Sequence, residues 1–168
     1  MNLRIGLDID GTICDFWNPY LKIYGEPKNN TEITRNVVKK LIHNKDFWLT
    51  LPIINKPDFI PALYCTKRSH PKTWTKQYLI RHGMPDKPVY QIYSQVASKS
   101  AKIKGRVDVF IDDSIDNFVE LNSNGVPCLL IDNEANRWLN TIARIYTLQY
   151  KEINDCYHKL MKSICSLH

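Results

Sequence analysis

The stretch GLDIDGTICDF, residues 6 to 16, decides how the rest of the chain is read. An apolar run beginning at residue 3 ends in two aspartates, Asp8 and Asp10, separated only by Ile9 and followed by Gly11. Like charges at the end of a buried strand repel unless an opposite charge sits beside them. In an extended segment residues i and i+2 face the same way, so Asp8 and Asp10 are aimed at one point. Gly11 suits the sharp exit this needs, because glycine adopts backbone angles closed to other residues. Thr12 is placed to cap the turn.

The first apolar run covers residues 3–9, and four more like it follow at 60–66, 88–94, 107–113 and 126–132. Most are continuously apolar rather than alternating, the pattern of strands buried on both faces of a parallel sheet. Helical patterns lie between them. Residues 72–83 end on Gly83, and residues 114–125 open on a Ser114 cap and close on Gly125. Strands alternating with helices predict an α/β fold, a Rossmann-like doubly wound parallel sheet with five core strands.

The spacing breaks once, between residue 9 and residue 60, a gap too long for one crossover helix. Two helices are expected there, over 15–25 and 31–44, with a break at 26–30. The segment 15–57 therefore reads as a small helical cap inserted after strand 1, with residues 1–14 and 58–168 forming the core domain. The chain is expected to close with two helices over 136–149 and 150–167.

Composition sets the class. The 168 residues are 43% hydrophobic and 24% charged, a profile that excludes a disordered chain. A net charge of +6 favours anionic partners without specifying one. The five cysteines are odd in number and include no CxxC pair, which points to free thiols and away from a zinc site. With no secretory pattern at the start and no apolar run of membrane-spanning length, the expectation is a cytoplasmic protein with no membrane partner.

Ligands of open α/β sheets gather at the carboxyl ends of the strands, where strand order reverses. Strand one carries Asp8 and Asp10 there, strand two Thr66, Lys67 and Arg68, and strand four Asp112 and Asp113, with Lys102 and Lys104 leading into strand four. Four carboxylates at one edge need a cation, and an all-oxygen donor set suits Mg2+. One aspartate of the first pair can then attack phosphorus, and the other can handle protons.

These residues resemble the haloacid dehalogenase superfamily of phosphohydrolases. Its first motif, DxDGT, is present as Asp8 to Thr12, its second as Thr66 in ALYCTKR, and its fourth as Asp112-Asp113 in VFIDD. The third is an upstream lysine, for which family spacing favours Lys102 over Lys104 and Lys99. The resemblance implies Asp8 as nucleophile and metal ligand, and Asp10 as general acid/base with its backbone carbonyl on the metal. It implies Asp113 as direct metal ligand and Asp112 as its support, the two being interchangeable at this point. Thr66 and Lys102 would hold the phosphoryl oxygens, with help from the Lys67 amide.

Within that superfamily the chain is most similar to the 5′(3′)-deoxyribonucleotidases. The Asp-Phe pair after the first motif maps to Asp15-Phe16, and an aromatic stretch late in the cap maps to KDFWLTLP, residues 45–52. The resemblance implies that Phe16, with Phe47 or Trp48, contacts a nucleobase, and that the substrate is a nucleoside monophosphate. The chain departs from that family in a shortened link before strand two, in Ser114 where the family has arginine, and in basic Lys67-Arg68. A basic rim also fits another ester: a polynucleotide 3′-phosphate, a sugar phosphate or a small metabolite. Motif order argues against a signalling receiver domain. A non-catalytic phosphate-binding module is disfavoured by the intact set of Asp8, Asp10, Thr66 and Asp113.

Overall fold

The computed structural model describes residues 2–94 and 97–166, apart from the side chains at 30, 31, 34 and 38. Its strands are β1 (Ile5–Leu7), β2 (Leu63–Thr66), β3 (Val89–Gln91), β4 (Val109–Asp112), β5 (Cys128–Ile131) and β6 (Arg144–Ile145). They form one parallel sheet in the order β3-β2-β1-β4-β5-β6. The chain is an α/β protein with a Rossmann-like sheet flanked by helices.

The continuous apolar runs are explained by burial on both faces. Ile5, Leu7, Tyr64, Val109, Ile111, Leu129 and Ile131 point into one buried cluster. Leu63, Cys65, Phe110 and Cys128, the alternate positions, point into another. Gly6 belongs to the tight side of this arrangement: a Cβ there would lie 2.7 Å from the Phe110 ring.

Three helices, α1 (Trp17–Tyr24), α2 (Asn30–Lys39) and α3 (Lys45–Leu49), lie between β1 and β2, with a 3-10 turn at Leu41–His43. The start of α2 is capped twice: Asn29 accepts from the Glu32 amide at 2.9 Å, and the Glu32 carboxylate accepts from the Lys28 amide at 2.7 Å. Tyr20, Leu41, Phe47, Trp48 and Leu51 from this segment join the first buried cluster, so these helices share the core of the sheet.

After β2 come α4 (Lys72–Arg81) and, after β3, the four-residue α5 (Ser100–Ile103), which the sequence pattern did not predict. α6 (Ile115–Ser123) is capped by Ser114, as expected, and α7 (Tyr150–Cys165) closes the fold. Leu167, the end of the expected last helix, lies outside the described residues. Among those residues no helix is long and apolar enough to cross a membrane.

One expected element is absent. Residues 136–149 are not a helix but a run of turns leading into β6, a sixth strand beyond the five anticipated. Side chains here bond the backbone in ways a helix cannot accommodate. Arg144 donates to the carbonyls of Asn136 at 2.8 Å and Leu139 at 2.7 Å. Asn136 donates to the carbonyl of Ile131 at 2.8 Å.

This packing predicts a sharp contrast in stability. Leu129→Ala, in the fully buried β5, should cost about 2–5 kcal/mol in denaturant unfolding. Trp138→Ala, at a site 74% exposed, should change stability by no more than about 0.5 kcal/mol.

Candidate active site

Strand register assembles the site. Leu7 of β1 lies beside Tyr64 of β2 and Ile111 of β4, so the residues that follow these positions emerge together. The Asp8 amide donates to the Ile111 carbonyl at 2.9 Å and carries the pairing one residue past the strand. Strand order reverses between β1 and β4, which makes this edge the switch point of the sheet. A cleft of about 460 Å³ opens above it. Asp8, Asp10, Thr66, Lys67, Lys99 and Asp113 line its polar side, and Phe16, Trp17, Ile33, Val37 and Trp48 its apolar side.

Carboxylate oxygens of Asp8, Asp112 and Asp113 lie within 4.8 Å of one another. The cation among them is Lys99, 1% exposed, with Nζ 2.6 Å from Asp8 Oδ1 and 2.7 Å from Asp112 Oδ2. Asp112 is wholly buried, and its other oxygen accepts from the Ser114 amide at 3.0 Å and from Asn117 Nδ2 at 3.1 Å. Asp113 faces the cleft and packs against Gly11, where φ is 78° and a Cβ would lie 2.0 Å from Asp113 Oδ2. Glycine is therefore required at 11 for two independent reasons.

Electrostatics match this crowding. Burial raises the Asp8 carboxyl to about 7; Lys99 opposes the rise, and the neighbouring Asp112 and Asp10 add to it. Asp113 is pushed well up as well, by burial and then by Asp112 and Asp8. Burial pulls Lys99 down, but Asp112 and Asp8 outweigh it and keep the ammonium charged. One lysine does not neutralise three carboxylates.

Asp10 has a cation of its own. Arg68 donates from Nε to Asp10 Oδ2 at 2.8 Å and from Nη2 to Oδ1 at 2.7 Å, a two-pronged pair. The Thr66 hydroxyl and the Cys14 thiol each add a contact to Asp10 at 3.4 Å. Burial pushes Asp10 up, yet Arg68 holds it below the ordinary carboxylate range. The guanidinium lies under the site, with its central carbon 5.1 Å from the Trp48 ring centre and 5.5 Å from that of Tyr78. Gln91 of β3 fixes the loop behind it by donating to the carbonyls of Arg68, at 3.0 Å, and His70.

Of the expected site residues, Asp8, Asp10, Thr66, Lys67, Phe16, Trp48 and Asp113 all reach the cleft, with Asp112 directly behind. Lys102 does not: it and Lys104 are exposed on and after α5, and Lys99 occupies the position expected of Lys102. The reason is helical geometry. Ile103 is fully buried, and Lys99, four residues earlier, shares its inward face. Arg68, expected at a basic rim, is instead 1% exposed beneath the floor. Phe47 is buried in the core, away from the cleft. Phe16 is stacked 5.6 Å from Tyr20 and 5.7 Å from Trp48. Trp17, not singled out from sequence, is the more open ring, 42% exposed on the cleft wall with edge contacts to Phe16 and Tyr20.

A scan of protein-family models and a search of curated proteins return no match to this chain.

The two lysines separate in a stability measurement. Lys99→Met strands two buried carboxylates and should destabilise by about 3–5 kcal/mol near neutral pH. Lys102→Met should stay within about 0.5 kcal/mol of wild type.

Proposed function

We propose that this chain is a Mg2+-dependent phosphomonoesterase of the haloacid dehalogenase superfamily, working through an aspartyl-phosphate on Asp8, with nucleoside monophosphates as substrates. The observation that carries the reading is the meeting of Asp8, Asp112 and Asp113 around one lysine at the switch point of the sheet. The donor set fits the metal. All its atoms are hard oxygens, and four carboxylates share two buried cations, Lys99 and Arg68, so the fully ionised site has two negative charges left for a divalent ion to balance. Asp8 and Asp113 would hold it with the backbone carbonyl of Asp10, while Asp112 has both oxygens engaged by Lys99, Ser114 and Asn117. When bound, Mg2+ draws charge from the phosphoryl oxygens and lessens their repulsion of the nucleophile.

The residues divide the chemistry as follows. An Asp8 oxygen attacks phosphorus, the ester P–O bond breaks, and Asp10 gives a proton to the departing oxygen. Water then attacks the phosphorus of the aspartyl-phosphate, Asp10 takes its proton, and the Asp8–phosphorus bond breaks to release inorganic phosphate. Arg68 holds Asp10 in the ionised form suited to this second half. Protonation of the leaving group needs Asp10 as the neutral acid: its proton is the one taken from water in the preceding turnover, kept by loosening from one prong of the guanidinium. Lys99 and Thr66 stand where charge gathers on the transferring group.

The apolar wall favours a nucleotide. A sugar phosphate would leave the exposed Trp17 ring on the cleft wall facing water, whereas a base stacked on such a ring gains about 1–3 kcal/mol. Trp17 offers the more open ring for this contact.

The test is a panel of deoxynucleoside monophosphates, a 3′-phosphorylated oligonucleotide and sugar phosphates, each with Mg2+ and with EDTA. Nucleotide hydrolysis should require Mg2+ and vanish in Asp8→Asn; full activity in EDTA or in Asp8→Asn contradicts the reading. Trp17→Ala should raise KM for nucleotides about 5- to 150-fold while leaving a sugar phosphate unaffected.

A further inference from the structure

The turn that replaces the expected helix over 136–149 begins at the site itself. Asn133 Nδ2 donates to Asp113 Oδ2 at 3.0 Å. Among the described residues no hydrogen bond reaches Asp113 Oδ1, although this carboxylate lines the cleft. The backbone of Asp113 is pinned separately, its carbonyl accepting from Asn136 Nδ2 at 2.9 Å.

Asn136 is 1% exposed and has its amide fully used. Its second donation goes to the Ile131 carbonyl at the end of β5. Its oxygen accepts from the Asn133 amide at 3.2 Å and from Arg144 Nη1 at 2.6 Å. Asn133 Oδ1 returns the contact by accepting from the Asn136 amide at 3.0 Å. The two asparagines thus hold each other, and Arg144 is anchored in turn on Asp132 at 2.9 Å. A turn that served only to connect β5 to β6 has no need to commit the Asn133 side chain to a carboxylate on β4's exit.

We propose that Asn133, locked by Asn136, is a positioning residue for the divalent cation: it holds one oxygen of Asp113 and so presents the other to the cleft. The inference rests on the metal-dependent reading above. A carboxylate free to rotate offers its oxygens in many orientations, and fixing it from behind lowers the cost of binding. Loss of such a supporting hydrogen bond typically weakens metal binding about 10- to 100-fold.

The experiment is a calorimetric titration of Mg2+ alone into the full chain as wild type, Asp113→Asn, Asn133→Ala and Asn133→Ser, with the melting temperature of each metal-free protein and kcat across Mg2+ concentrations. Wild type should bind, Asp113→Asn should not, and both Asn133 variants should bind about 10- to 100-fold more weakly. Their metal-free melting temperatures should fall by only a few degrees, the effect of the lost Asn133–Asn136 contact, and saturating Mg2+ should restore their kcat. Should Asn133→Ala fail to fold, Asn133→Ser gives the same comparison. Wild-type affinity in the Asn133 variants, with binding lost in Asp113→Asn, overturns the positioning role and leaves the metal site standing. So does a kcat that saturating Mg2+ fails to restore. No binding by wild type, or undiminished binding by Asp113→Asn, overturns the metal reading itself.

Discussion

Negative charge at the end of β1 and β4 is the constraint around which this molecule is arranged. Adjacent parallel strands deliver Asp8 and Asp112 side by side, and the next residue adds Asp113. Burying ionised carboxylates together is costly, and the penalty is tolerable only with close counter-charge and saturated hydrogen bonding. Lys99 bridges two of the three, and Ser114 with Asn117 completes Asp112. The neighbourhood of Lys99 is organised to keep it there. Ser98 and Ser100, on either side, both bond Glu120 of α6, Ser98 at 2.5 Å and the Ser100 amide at 3.4 Å.

A second ion pair keeps the other acid apart from this cluster. Arg68 takes both oxygens of Asp10 and sits beneath rings supplied by α3 and α4. The inserted helices therefore do more than wall the cleft. Trp48 packs on the guanidinium and donates its indole N–H to the Leu41 carbonyl at 2.8 Å. Tyr78 donates to the Leu51 carbonyl at 3.1 Å, tying α4 to the end of the insertion. Two carboxylates two residues apart thus have opposite settings, Asp8 raised and Asp10 lowered.

Much of this was legible in the sequence because it depends on short-range pattern. Apolar runs ending in Asp8, Thr66 and Asp112 identify buried parallel strands and the residues at their ends, and these do converge. What was not legible depends on tertiary placement. Family spacing favours Lys102 over Lys99 in a linear reading; burial of Ile103 at the fourth position after Lys99 is the signal that reverses the order. Arg68 reads as a surface cation until Asp10 and two aromatic rings are seen to enclose it. The segment 136–149 carries apolar residues at helical spacing, but Asn136 and Arg144 bond backbone across the chain, and no periodicity records that. Trp17 was hidden by its neighbour, because Phe16 matches the family pattern while Trp17 holds the more open face.

In the proposed reaction Asp8 carries the phosphoryl group between substrate and water. The most direct measurement is acid-quenched peptide mass spectrometry of the chain during turnover of a deoxynucleoside monophosphate with Mg2+. A phosphoryl adduct is expected on the peptide containing Asp8 and none in EDTA. Turnover with no adduct on that peptide, or with the adduct on another residue, would contradict it.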